Sequence, residues 1–131
     1  MLLLQLAQQP LQARDNEYYY TELAGTLIGE GGRLDDDFET MSCTIKNRLD
    51  RGWALAKVKN AYHAKYYKPT QEHIDVLKQI IFADKSTLSA ECQVVYFFFT
   101  TAYARRFNQN VKPILRLGGH LYFKYEDYKH L

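Results

Sequence analysis

The 131 residues predict an α+β fold, mainly helical with a small antiparallel β-hairpin. Three stretches carry the three-and-four apolar spacing of an amphipathic helix: Tyr20 to Ile28, Phe38 to Leu49 and Ile74 to Ile81. Two later stretches do not: Cys92–Thr100 is a continuous β-rich apolar run, and His120–Tyr125 alternates in polarity, so the two can pair as antiparallel strands. At 47% hydrophobic and 15% aromatic residues, a chain of this length buries a core as one domain, which excludes a disordered polymer.

Taken in order, residues 1–14 are an N-terminal arm interrupted by Pro10, and residues 15–131 form the single domain. Asn16 is placed to N-cap the first helix, with Glu17 in its favourable first turn. Tyr20, Leu23, Ala24, Leu27 and Ile28 make the apolar face of that helix. Glu30 follows Leu27 by three residues and therefore points toward this face, just before Gly31 and Gly32 break the helix.

Asp35, Asp36 and Asp37 read as the acidic entry to the next helix, with Asp36 and Glu39 at capping-box spacing, rather than as a metal site. Phe38, Met41, Ile45 and Leu49 form its stripe, Gly52 ends it, and it is expected to be the central buried helix on which the first one packs. Asn47 lies two residues off that stripe and either bonds a substrate or ties down neighbouring backbone. Trp53–Pro69 mixes basic and aromatic residues in a loop, where a lone His63 is expected to be an ordinary surface histidine. Thr70 N-caps a third, scaffolding helix with Ile74, Leu77 and Ile81 inward, widened by Val76 and Ile80. Residues 100–117 are expected to form the far wall of a cleft, with Arg105 and Arg106 either facing substrate carboxylates or solvated.

Glu30 is the residue that suggests chemistry. A carboxylate facing apolar surroundings at a helix C-terminus is destabilised in its ionised form by desolvation and by the helix dipole. An acid that keeps its proton can deliver it to a leaving-group oxygen, which glycosidic cleavage requires. The two glycines after it leave open space beside the acid.

Charge and cysteine usage narrow the classes. Residues 1–50 hold four Lys/Arg against nine Asp/Glu, net −5, and residues 51–131 thirteen against six, net +7. A basic later half suits an anionic polymer, nucleic acid or an acidic cell wall. Cys43 falls inside a predicted helix and Cys92 at the start of a predicted strand; buried free thiols are expected, and the sequence leaves open whether they pair. Four histidines and two cysteines without ligand spacing predict no metal and no cofactor. The N-terminus, MLLLQLAQQPLQAR, lacks a basic n-region and its apolar run is too short for a signal peptide; no segment is long enough to span a bilayer.

The order of the short motifs carries more than any one of them. GEGGR (29–33), FETMSCTIKNRLDRG (38–52), VVYFFFT (94–100) and LGGHLYF (117–123) together resemble the catalytic domain of the SleB/CwlJ-type cell-wall hydrolases, the spore-cortex-lytic family. There a Glu-Ala-Arg-Gly-like turn precedes a helix ending in Asn-Arg, an aromatic strand follows, and an Ile-Gly-x-His-x-Phe segment closes the domain. Asn47-Arg48 corresponds to the Asn-Arg, Tyr96–Phe99 to the strand, and Gly118, His120 and Tyr122 to the closing segment. Two departures stand out: Glu-Gly-Gly replaces Glu-Ala-Arg-Gly, and Thr100 stands where the family has Asn after the strand.

The resemblance implies a lysozyme-like build and cleavage of peptidoglycan glycan strands next to N-acetylmuramic acid, with Glu30 as the single catalytic acid/base. It implies that Asn47, Tyr96, Phe98, Thr100 and His120 contact the substrate, with Tyr66 or Tyr67 as the loop aromatic lining the cleft. With no second carboxylate marked out, a lytic transglycosylase reaction giving 1,6-anhydro-muramic ends is expected over hydrolysis. The protein would be made in the cytoplasm and act at the wall after release or delivery in a virion, beside other lysis or virion proteins. Two further readings are a non-catalytic wall-binding or phage-structural protein of the same fold, and a small nucleic-acid-binding protein using the basic half; the leading reading involves no nucleic acid.

Overall fold

The structure, a computed structural model, describes residues 17–34, 37–54, 57, 58, 62 and 65–131. Its elements are α1 (Glu17–Gly29), α2 (Phe38–Asp50), α3 (Gln71–Phe82), α4 (Ala90–Val94), β1 (Val95–Thr100), α5 (Thr101–Ala104), β2 (Leu115–Leu117) and β3 (His120–Lys124), with 3-10 turns at Lys85–Thr87 and Tyr125–His130. The expected α+β class holds, with a three-stranded antiparallel sheet ordered β1-β3-β2 in place of a lone hairpin. The arm at 1–14, the Asn16 cap, Asp35, Asp36 and His63 lie outside the described residues.

Helix α2 is the centre of the molecule. Its residues 41 to 48 are all buried, so it is enclosed on every side and not only along the stripe. Five of these are polar; Ser42 and Thr44 bond carbonyls within the helix, while Lys46, Asn47 and Arg48 each reach backbone carbonyls of neighbouring elements. Lys46 Nζ donates to Ile81 O at 2.9 Å and Ala83 O at 2.7 Å, closing the C-terminal end of α3. Asn47 Nδ2 donates to Cys92 O at 2.8 Å and Val95 O at 2.7 Å, across the junction of α4 and β1. Arg48 Nε donates to Tyr96 O at 2.9 Å.

Helix α1 lays Tyr20, Leu23, Ala24 and Leu27 into the same core. Each leucine, fully buried, contributes about 1.5–3 kcal/mol of transfer free energy. Thr70 caps α3 as expected, in a reciprocal box with His73, and Ile74, Leu77, Ile80 and Ile81 face inward. Cys43 and Cys92 are joined in a disulfide with a Cα–Cα distance of 5.2 Å, which corrects the expectation of free thiols. Cys92 is also not in a strand: Ser89 accepts from Cys92 N and caps the short α4, so β1 starts at Val95. A local side-chain cap there overrides the β propensity of the residues that follow.

The sheet follows the expected pairing of β1 with β3, in the register Phe98↔Tyr122, Phe99↔Leu121 and Thr100↔His120. Strand β2 was not expected. It pairs with β3 through Leu117↔His120, joined by Gly118 (φ 58°) and Gly119 (φ 79°), the two left-handed residues that a tight hairpin turn requires.

Candidate functional site

Glu30 is positioned by main chain alone. Gly31 N donates to Ile28 O at 2.9 Å and Gly32 N to Leu27 O at 2.8 Å, the paired bonds of a Schellman cap, with Gly31 left-handed at φ 97°. Only Gly31 of the pair takes that conformation. Gly32 is required for another reason: a Cβ there would lie 2.8 Å from Leu27 O. The Glu30 side chain is half-exposed and, among the described residues, has no hydrogen bond or ion pair.

The side chain opens on a cleft of about 660 Å³. One wall is aromatic: Phe97, Phe98 and Phe99 from β1, Tyr103 from α5, and Tyr128 near the C-terminus. Phe97 stacks on Tyr128 at 4.7 Å and Phe99 on Tyr103 at 5.8 Å, giving flat, partly exposed faces. Trp53, Tyr62 and the buried Arg48 line the cleft as well, Tyr62 stacked on Phe98 at 5.6 Å. Burial above all pushes the Tyr62 hydroxyl up from its ordinary range; Arg48 opposes this and the Glu30 charge adds to it, so the phenol senses both charged groups. Thr100 lines the cleft and caps α5, accepting from Tyr103 N at 3.1 Å.

His120 completes the site. Gly31 lets the ring sit close to the Glu30 turn, since a Cβ there would lie 3.1 Å from His120 Cε1. Nδ1 lies 2.8 Å from Asp37 Oδ2 and 3.1 Å from Gly118 O. Asp37 is completely buried, and it also accepts from Tyr122 Oη (3.3 Å) and Arg33 N (3.3 Å). The hydrogen bond to Asp37 raises the His120 pKa above the ordinary histidine value; burial opposes it, and the Asp37 charge with the Gly118 and Glu30 carbonyls adds to it. This corrects the capping interpretation of the acidic triplet for Asp37: it stands at the N-cap position of α2, but its side chain makes no cap bond and is committed to the imidazole.

Of the residues expected to contact substrate, the cleft brings together Glu30, Phe98, Thr100 and His120. Asn47 and Tyr96 are elsewhere, beside a second, more polar hollow of about 520 Å³ that Arg51, Lys85 and Lys124 also border. Asn47 takes its structural alternative, tying down Cys92 and Val95, and Tyr96 is buried with its carbonyl on Arg48. Tyr66 and Tyr67 cross α1 at Gly25, where Tyr67 N donates to Gly25 O at 3.2 Å and the Tyr66 ring occupies the space a Cβ would fill. From that segment, Trp53 and Tyr62 line the cleft. Arg105 and Arg106 are exposed and outside it.

Among the described residues no group of three or more His, Cys, Asp or Glu is placed to hold a metal ion, and no helix is long and apolar enough to cross a membrane. Comparison with family models, with characterised proteins and with solved structures returns no match.

Proposed function

We propose that the chain cleaves peptidoglycan glycan strands as a lytic transglycosylase of lysozyme-like build, with Glu30 as its acid and base. The observation that carries this reading is the Glu30 carboxylate: it is unpaired among the described residues, held on a backbone-defined turn, and opens on a cleft with stacked aromatic faces of the kind sugar rings pack against. In this reading Glu30 protonates the glycosidic oxygen next to N-acetylmuramic acid, and the C1–O bond breaks to an oxocarbenium-like sugar. The Glu30 carboxylate then takes the proton of that sugar's own 6-hydroxyl as its oxygen attacks C1. The 1,6-anhydro ring closes without an added water.

Glu30 is the one carboxylate lining the cleft among the described residues, and Asp37 is buried against His120. A two-carboxylate hydrolase needs a second acid about 5–10 Å from the first, which favours intramolecular capture. The disulfide favours action outside a reducing cytosol, in keeping with work at the wall after release or virion delivery.

Purified glycan strands incubated with the protein test the reading. Mass spectrometry should find products lighter by one water than reducing-end fragments, and Glu30→Gln should abolish them with its melting temperature retained. Intact strands after incubation with the folded protein, or wild-type turnover by Glu30→Gln, would overturn it. Exclusively reducing ends would retain cleavage but replace the transglycosylase by a hydrolase.

A further inference from the structure

Three successive polar residues on α2 are buried, yet they differ in what their donors do. Lys46 is spent on two carbonyls, and both N–H bonds of the Asn47 amide are used. Arg48 is not. Only 6% exposed, it uses Nε on Tyr96 O and directs no other hydrogen bond to the described residues. Its neighbour Arg51 has Glu126 at 4.0 Å, but among the described residues Arg48 has no carboxylate within ion-pair distance.

What surrounds the guanidinium instead is aromatic. Its carbon lies 5.1 Å from the Trp53 ring centre, 5.3 Å from Tyr62 and Phe97, and 5.7 Å from Tyr96. Ring faces offset part of the cost of burying a cation but supply no acceptors for its N–H groups. A methionine or leucine would pack in such a box without that cost. The open side of the box is the cleft, which Arg48 lines together with Glu30.

We infer that Arg48 is a specificity-determining residue that binds a carboxylate carried by the glycan strand. The inference rests on the proposed cleavage of peptidoglycan and names the group of the substrate that is recognised. A planar guanidinium whose terminal N–H groups no described residue claims matches a carboxylate in a two-pronged, charge-assisted pair, which a water-excluding aromatic rim strengthens. Such a strand offers that chemistry from two sources. One is the lactyl carboxylate of a muramic residue stripped of its peptide; the other is a carboxylate of an attached stem peptide.

Three strand preparations separate them: peptide-free strands, the same strands with every carboxyl converted to a neutral methylamide, and peptide-bearing strands. Affinity is measured on Glu30→Gln, which does not turn over, and KM on the wild type. Carboxylate-bearing strands should bind about 10- to 100-fold more tightly than the methylamide. The better of the two charged preparations identifies the source. Arg48→Gln should bring the ratio near one, and Arg48→Lys should restore part of it. Equal binding of charged and neutral strands by the arginine-bearing protein overturns the inference and needs no folded Arg48 variant. A ratio kept by a folded Arg48→Gln also overturns it. Because binding is read apart from turnover, intact strands with a large ratio would sink the enzymatic reading and leave Arg48 as a carboxylate receptor.

Discussion

Asp37 Oδ2 and His120 Nδ1 lie 2.8 Å apart, the carboxylate wholly buried and the imidazole on the wall of the cleft. This pair joins the start of the central helix to the first residue of the central strand. Removing one partner leaves a buried polar group unmatched. Asp37→Asn is expected to cost about 3–5 kcal/mol, the range for breaking a buried ion pair, read as a shift of the denaturation midpoint at constant slope. A loss below 1 kcal/mol would show that the pair does not organise the fold.

The same pair sets a pH dependence. The folded-state pKa of His120 is raised, chiefly by the bond to Asp37. Its stabilisation is therefore fully present below the unfolded value near 6.5 and is lost as pH rises through the higher folded value. As pH rises above 6.5 the melting temperature of the wild type should fall relative to that of His120→Gln. Parallel profiles of the two proteins would contradict the assignment.

Gly31→Ala should act twice. A left-handed backbone costs a Cβ-bearing residue about 1–2 kcal/mol, and here the new methyl would also press on the His120 ring at 3.1 Å. Gly119→Ala is the matched control, with φ 79° and nothing within 4 Å of the added Cβ. Both should lose stability, but only Gly31→Ala should shift the His120 imidazole titration followed by NMR.

Replacing Cys43 and Cys92 together by alanine should cost about 4 kcal/mol by the chain-entropy relation for a sequence separation of 49. The loss should be matched by reduction of the wild type. Coincident melts of oxidised and reduced protein would show that the sulfurs do not bond in solution.

Helix positions were the most legible part of the sequence, because apolar periodicity reports directly on burial. The same arithmetic contained more of the site than apolar residues alone reveal. Asp37, Met41, Thr44 and Arg48 fall on one face of α2 at four- and three-residue steps, so two charged residues stand on an inward stripe. Their charge favours a solvated reading, and only the tertiary partners His120 and the aromatic box explain their burial. The two-residue Gly118-Gly119 loop was a hairpin signal, but the strand before it is three residues long. Tyr62 could not be told from Tyr66 or Tyr67 by composition. What separates them is the crossing at Gly25, a contact between segments distant in the chain.

Glu30 stands in a different relation to the molecule from Asp37. Its Cα is held by bonds from the flanking amides, while its side chain makes no hydrogen bond or ion pair among the described residues. The acid and the architecture are thus separable inheritances. A single-nucleotide change turns a glutamate codon into one for glutamine or lysine, and at position 30 selection for folding would not oppose it. Under the proposed glycan cleavage, a lineage that no longer needed the chemistry could keep the cleft as a receptor, and one that regained the need could recover the acid in one step.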